Sequence, residues 1–425
     1  MFTFPRQPRG LRAAGLALVA SAVFAPSATA GPQEKATFRL PAPTERQEVG
    51  VVDLHLVDAG RKDPWKPERA RELMVSLWYP ARDVGRLPHA PWITPGLAAV
   101  QDGFGAGLGI PRDSVDWTAV RTHARAGAPA EHGNHPVVLY TPGLGFPRSA
   151  QTAIVEDLAS RGYVVATVDH TFETNVEFPG GRVEVPVPLE AEPVTLKKIL
   201  DVRVADVRSV LDSLARLAVG ANPDAESRPL PRGLGGALDL GRVGVFGHSY
   251  GGFTGGETMV HDRRVDAGVN LDGSLAYGFG ELTGQPYLPG EVTRRGLDRP
   301  FLLMGSEAID PATGKLVRHT HLHQHDRSWP QFWANQRGWK RDLLLGRSGH
   351  LGYTDYQVVL RQLAARLSLS EQRVRQLVGT VDANRSIAAQ RTYVAGFFDL
   401  HLKRRDPGLF AAPSPLHPDI TFVTD

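Results

Sequence analysis

An α/β protein with a mostly parallel central sheet is predicted by three features of the sequence. From Pro136 onward, short apolar runs such as Val137-Val-Leu-Tyr140 alternate with amphipathic stretches such as residues 196–217. The segment Gly241-Arg-Val-Gly-Val-Phe-Gly-His-Ser-Tyr-Gly-Gly252 reads as a buried strand entering a glycine turn, with a helix-compatible run after it. The chain has 425 residues, of which 42% are hydrophobic and 22% charged, enough for a sizeable core and ordinary for a globular protein.

Composition also removes several function classes. The formal charge is only +3, and no Lys/Arg block interleaves with aromatics, so nucleic acid is excluded as a partner. There is no cysteine, which rules out disulfides, thiolate metal sites and a cysteine nucleophile. Residues 1–30 read as a signal peptide. Arg6, Arg9 and Arg12 precede an apolar run over residues 13–25, and Ala28-Thr29-Ala30 offers a cleavage site before Gly31. The apolar run is short for a membrane span, and no Arg-Arg pair precedes it. The expectation is a secreted protein, extracellular or periplasmic.

Residues 31–46 contain Pro and Thr without periodicity and read as a linker, leaving residues 47–425 as a single catalytic domain. Residues 51–57 and 73–79 are strands, the second stopped by Pro80, and they form an antiparallel edge pair around the turn Asp63-Pro-Trp-Lys-Pro67. Residues 82–134 are rich in Gly and Pro. Gly103, Gly105, Gly107 and Gly109 lack a preceding strand, so a nucleotide loop is set aside in favour of an excursion lining the substrate cleft. Strand 137–140, helix 149–160 and strand 163–168 follow, then a second excursion over 171–193 and a long helix over 196–217. After the glycine turn come strands 265–271, 301–304 and 341–345, a helix over 329–336, and terminal helices over 356–367, 371–378 and 387–402.

Gly247-His-Ser-Tyr-Gly251 fits G-x-S-x-G, the turn that exposes a nucleophilic serine between a strand and a helix. Ser249 is therefore the candidate nucleophile. Serine needs a base within hydrogen-bond reach, and on this strand–turn–helix plan acid and base follow the serine in the chain. His350 is the candidate base, because it stands just after the last strand on the short loop Gly346-Arg-Ser-Gly349. Two aspartates fit the acid, Asp272 at the end of strand 265–271 and Asp310 after strand 301–304. Spacing alone does not choose between them. The backbone N–H groups of Tyr250 and of Leu144, in Thr141-Pro-Gly-Leu-Gly145, fit an oxyanion hole. His319, His321, His323 and His325 alternate in a loop with no catalytic neighbour in sequence. They read as a solvated segment rather than a structural metal site.

Several of these segments, with others beside them, resemble the secreted, plasma-type platelet-activating factor acetylhydrolases and their bacterial α/β-hydrolase relatives. The likeness runs over about residues 47–403. It lies in Glu72-Leu-Met-Val-Ser-Leu-Trp-Tyr-Pro80, Pro136-Val-Val-Leu-Tyr-Thr-Pro-Gly-Leu-Gly145, Asp157-Leu-Ala-Ser-Arg-Gly-Tyr-Val-Val-Ala166, Gly247-His-Ser-Tyr-Gly-Gly252, Asn270-Leu-Asp-Gly273 and Gly349-His350 with Thr354-Asp355. The resemblance implies an α/β-hydrolase fold with loop insertions over the catalytic face. It also implies that the acid is Asp272, in a Leu-Asp pair, rather than Asp310, and it maps the oxyanion donors onto Leu144 and Tyr250. By the same likeness the function is that of a serine carboxylic-ester hydrolase on short-acyl esters or phospholipids, a 1-alkyl-2-acetylglycerophosphocholine esterase-like activity in lipid catabolism. Alternatives are a lipase or cutinase-like polyester hydrolase, or a peptidase, amidase or acyltransferase on the same triad. Neither cofactor nor metal is implied. The partners are a small ester or lipid substrate and transient contact with a lipid surface, with no protein partner.

Overall fold

Residues 137–140 explain why the sheet lies inside the molecule. Side chains of a strand alternate in direction, and here both sets are apolar. Val137 and Leu139 join a core on one face, while Val138 and Tyr140 join a core on the other. The structure, a computed structural model, describes residues 34–280, 284–309, 314–322 and 326–424. Its first part runs β1 (Val49–Lys62), β2 (Ala70–Pro80), β3 (His89–Pro91), α1 (Pro95–Gly107), β4 (Arg121–Ala126), β5 (His135–Thr141), α2 (Thr152–Ser160) and β6 (Val164–Asp169). Then follow β7 (Val176–Phe178), β8 (Arg182–Glu184), α3 (Pro193–Ala218), β9 (Leu238–His248), α4 (Tyr250–His261), β10 (Ala267–Leu271), β11 (Ala276–Phe279), β12 (Tyr287–Pro289) and α5 (Glu291–Arg295). The rest is β13 (Phe301–Ile309), β14 (Leu316–Arg318), α6 (Ser328–Asn335), β15 (Lys340–Leu345), α7 (Tyr356–Leu367), α8 (Glu371–Val378), α9 (Ala383–His401) and β16 (Ile420–Phe422).

The main sheet has the order β16-β15-β13-β10-β9-β5-β6-β2-β1-β4-β3. Its centre, β15-β13-β10-β9-β5-β6, is parallel throughout. Helices α3 and α4 cover one face through Leu200, Val207, Leu211 and Phe253. The other face is covered by α2 and α9 through Leu158, Tyr393 and Phe397. This is the α/β-hydrolase fold. The β1–β2 pair is antiparallel as expected but is not the edge, since β4 pairs with β1 in parallel and β3 lies beyond it. Val51 makes both contacts, so its strand serves two neighbours.

Two further expectations change. Residues 103, 105 and 107 lie within α1 and not in an irregular loop. The helix persists despite four glycines, Gly96 among them, because Leu97, Ala98, Gln101 and Gly105 are buried, so tertiary packing overrides propensity. The linker expected over residues 31–46 is, from Ala36, integral to the compact unit Ala36–Asp425. Phe38 packs 5.2 Å from the Trp92 ring and 6.0 Å from that of Trp117. Thr44 Oγ1 donates to Asp157 at 2.7 Å, and the Arg391 guanidinium donates to the carbonyls of Pro41 and Ala42 at 2.8 and 2.7 Å. The signal peptide expected over residues 1–30 lies outside the described residues. Among the described residues no helix is long and apolar enough to cross a membrane.

Phe38 is 3% exposed, and a cavity in its place would open between two tryptophans. Phe38→Ala is expected to destabilise the protein by about 3 kcal/mol in urea unfolding. A true linker residue would change stability by less than about 0.5 kcal/mol.

Candidate active site

Ser249 sits between β9 and α4 with φ 55° and ψ −129°, a backbone conformation costly for a residue with a side chain. Close packing enforces it. A β-carbon on Gly251 would stand 1.9 Å from the Thr141 carbonyl oxygen, and one on Gly247 would stand 2.3 Å from the Gly251 carbonyl carbon. Only glycine permits this approach on both sides of the serine. The Ser249 N–H donates to the Leu271 carbonyl at 2.8 Å, which ties the turn to the end of β10.

The next residue after β10 is Asp272, 4% exposed and also in the left-handed region at φ 59°. Its carboxylate receives four donors. Ser306 N–H and His319 Nδ1 approach Oδ1 at 2.8 and 2.9 Å, while Ser306 Oγ and His350 Nδ1 approach Oδ2 at 2.7 and 2.6 Å. Burial opposes ionisation of this group, but the hydrogen bonds and charge of His319 and His350 outweigh it and hold the carboxyl well below the usual carboxylate range. Asp272 is thus a carboxylate acceptor at neutral pH. Asp310, the rival acid, lies outside the described residues. Glu307 on the same hairpin is occupied by Arg318 at 2.9 Å and the Arg347 N–H at 2.8 Å.

His350 follows β15 and has a side chain 48% exposed, so its ring stands open to an incoming molecule. Because Nδ1 faces a carboxylate, it carries the proton, and Nε2 of the neutral ring is left as the acceptor. The loop is pinned by the elbow itself, since His248 Nε2 donates to the His350 carbonyl at 3.0 Å. Burial, aided by the nearby His350, lowers the His248 pKa to about 3, so this brace stays neutral. The two rings lie 4.5 Å apart.

Tyr250 follows the serine as the first residue of α4, and the loop that contains Leu144 lies against the elbow. Gly143, next to Leu144, abuts the elbow, and a β-carbon there would stand 3.4 Å from Ser249 Cβ. The loop is held from behind by Arg203 of α3, which donates to the carbonyls of Pro142 at 2.7 Å and Gly143 at 3.3 Å. In a trans peptide C=O and N–H point in opposite directions. Anchoring those two carbonyls therefore turns the N–H groups of Gly143 and Leu144 away from Arg203. Glu173 Oε2 accepts from Arg203 Nε at 2.7 Å, both side chains being almost fully buried. Beside this pair, His170 bridges Thr141 Oγ1 at 2.9 Å and Asp206 at 3.0 Å. Arg203 was missed in the sequence, yet a signal existed. It falls four residues from both Ile199 and Val207, inside the apolar stripe of the long helix, where a cation is out of place unless it has a buried task.

The alternating histidines need a larger correction. His319 is drawn into the site and not left to solvent, with its ring 4.0 Å above Trp329. His321 stacks 3.9 Å from Trp333, and its Nδ1 lies 2.7 Å from Asp342. Trp329 and Trp333 are one helical turn apart on α6, a spacing close to the two-residue step of an extended chain. His323 and His325 lie outside the described residues.

Comparison with known proteins agrees with this fold. The family model for platelet-activating factor acetylhydrolase, isoform II, matches residues 41–177. A ferulic acid esterase from Streptomyces cinnamoneus, solved at 2.4 Å resolution, superposes with a TM-score of 0.73 at 36% identity, over 92% of this chain and 100% of that one. The chain belongs to the platelet-activating factor acetylhydrolase-like α/β-hydrolases. It is a carboxylic-ester hydrolase. Among curated relatives of this esterase, a probable 1-alkyl-2-acetylglycerophosphocholine esterase of Arthroderma benhamiae is 29% identical over 91% of this chain and 94% of its own. The platelet-activating factor acetylhydrolase of Cavia porcellus is 28% identical over 47% of this chain and 49% of its own.

Lysine cannot hold two carbonyls with one planar fork. Arg203→Lys in this esterase is expected to lower kcat on a p-nitrophenyl ester by about 10- to 100-fold with KM nearly unchanged. Steady-state kinetics alongside a melting curve checks this. A change in KM alone would contradict the role given to Arg203.

Proposed function

We propose that this esterase works through Ser249, His350 and Asp272 by way of an acyl-enzyme. The observation that carries the reading is the 2.6 Å contact of His350 Nδ1 with the buried Asp272 carboxylate, made on a loop braced to the nucleophile turn. With Nδ1 protonated, Nε2 accepts the Ser249 proton as Oγ attacks the ester carbonyl. Charge passes to the carbonyl oxygen, where the N–H groups of Leu144 and Tyr250 receive it. The imidazolium next to Asp272 then gives its proton to the departing alcohol oxygen as the C–O bond breaks. Water, deprotonated by Nε2, attacks the acyl-serine, and collapse returns the proton to Ser249 and releases the acid.

Short-acyl esters, including the sn-2 acetyl group of alkylacetylglycerophosphocholines, are the substrate class supported by the Arthroderma and Cavia relatives. Aromatic-acid esters are a second reading, favoured by the 36% identity to the ferulic acid esterase. The reading includes export, supported by the basic and apolar pattern of residues 1–30, and transient contact with a lipid surface where the ester is a phospholipid.

The test is hydrolysis of p-nitrophenyl esters from acetate to dodecanoate beside methyl ferulate, for wild type, Ser249→Ala and Asp272→Asn. Activity is expected to peak on the shortest acyl groups, to vanish in Ser249→Ala and to fall by about 10⁴-fold in Asp272→Asn. A preference for ferulate would select the second reading, and an active Ser249→Ala would overturn the mechanism. Asp272 stays ionised far below neutrality, so it does not titrate in the working range. The acid side of kcat/KM plotted on logarithmic axes should therefore show no step from this carboxylate.

A further inference from the structure

In most of its contacts Asp272 does what an acid of such a site requires, but one contact is left without a task. The second histidine on it, His319, is placed with both ring nitrogens against carboxylates. Nδ1 lies 2.9 Å from Asp272 Oδ1, and Nε2 lies 2.9 Å from Asp326 Oδ2. A carboxylate oxygen only accepts, so both nitrogens carry hydrogen and the ring is a cation. Its side chain is 18% exposed and that of Asp326 is 11% exposed. Asp326 is fixed in turn, since its Oδ1 accepts the Ser328 N–H at 2.9 Å at the start of α6.

We infer that His319 is a positioning residue for Asp272, a fixed cation that holds one carboxylate oxygen and partly neutralises the charge that the other presents to His350. The inference rests on the Ser249–His350–Asp272 reading above. An isolated carboxylate beside His350 would stabilise the imidazolium and keep the base protonated to higher pH. A cation on the far oxygen of the same carboxylate works against this. Burial acts to lower the His319 pKa, and the two aspartates override it and push it up to about 10. The cation therefore persists through neutral pH.

Other charges around His319 are already matched. His321, two residues on, binds Asp342 of β15 through both its N–H and Nδ1 at 2.7 Å. Arg318, the preceding residue, binds Glu307 of β13 at 2.9 Å. Arg327, beside Asp326, lies over the Tyr287 ring at 4.6 Å. Trp329 of α6 closes one side of the His319 ring, and His350 faces it across Asp272. Among these groups, Asp272 and Asp326 are the two that bond His319 directly.

Two measurements on the full-length protein test the inference. In nitrogen-15 histidine spectra of the wild type, His319 should show two protonated ring nitrogens from pH 6 to pH 8. A neutral His319 at pH 7 would overturn the inference whatever the variants do. The acid side of the kcat/KM profile on p-nitrophenyl acetate is then compared for wild type, His319→Gln and His319→Gln/Asp326→Asn. The single variant should move it to higher pH by about half to one unit, because two buried carboxylates then face the base without the cation. Removing the distant carboxylate as well should reverse part of that shift. An unmoved acid side, or a double variant displaced further than the single one, would overturn the electrostatic role. Ser249→Ala assayed in the same series separates the cases. If it is active, the triad reading has failed. If it is inert and the profiles still coincide, only the role of His319 has failed.

Discussion

Everything at this site hangs on one buried carboxylate. An unpaired charge in a protein interior is costly, and the fold answers by bringing donors from three directions to Asp272. β13 supplies the amide and hydroxyl of Ser306, the chain after β14 supplies His319, and the loop after β15 supplies His350. β13 lies beside β10 and β15 one strand further out in the parallel half of the sheet, while β14 pairs antiparallel with β13 off that path. Sheet order therefore determines which loops can satisfy the charge. Once they do, His350 is held through Nδ1, which leaves Nε2 as the open nitrogen of its ring.

The nucleophile side depends on a different constraint, contact distance rather than charge. Thr141, Gly247 and Gly251 pack backbone on backbone, and this fixes the strained Ser249 against the loop that contains Leu144. Arg203 and His170 stand behind that loop as a polar layer, and burial holds the His170 pKa at about 4 despite Asp206. A neutral His170 and a charged Arg203 give this layer constant charge over the range in which an esterase works.

Much of this was legible in the sequence because its signals are local. The elbow occupies five consecutive residues, and His350 betrays itself by standing just after the last strand. Buried two-sided strands announce themselves as unbroken apolar runs, as in β5 and β9. The acid was not legible from spacing, since Asp272 and Asp310 both follow strands. The family likeness chose between them; Asp272 meets four donors, and Asp310 lies outside the described residues. Illegible parts depend on distant partners. His319 meets Asp272 across 47 residues of chain, and Arg203 meets Pro142 across 61. Phe38 and Leu40 look like linker residues until Trp92, Trp117 and α7 supply the surface they cover.

A chain of rings leads from the first excursion to the elbow. Phe104 on α1 packs edge-on to Phe146 at 5.3 Å, and Phe146 packs edge-on to His248 at 5.9 Å. None of these contacts uses a hydrogen bond of the Ser249, His350 or Asp272 network. The ring packing behind the elbow and the hydrogen-bonded network are thus separable parts. Apolar contacts tolerate exchange of size and shape far better than a hydrogen-bonded carboxylate tolerates loss of a donor. Variation in α1 can reach the elbow through these rings while the hydrogen-bonded groups stay in register. A segment that shares no hydrogen bond with the network can in this way press on the elbow through rings alone.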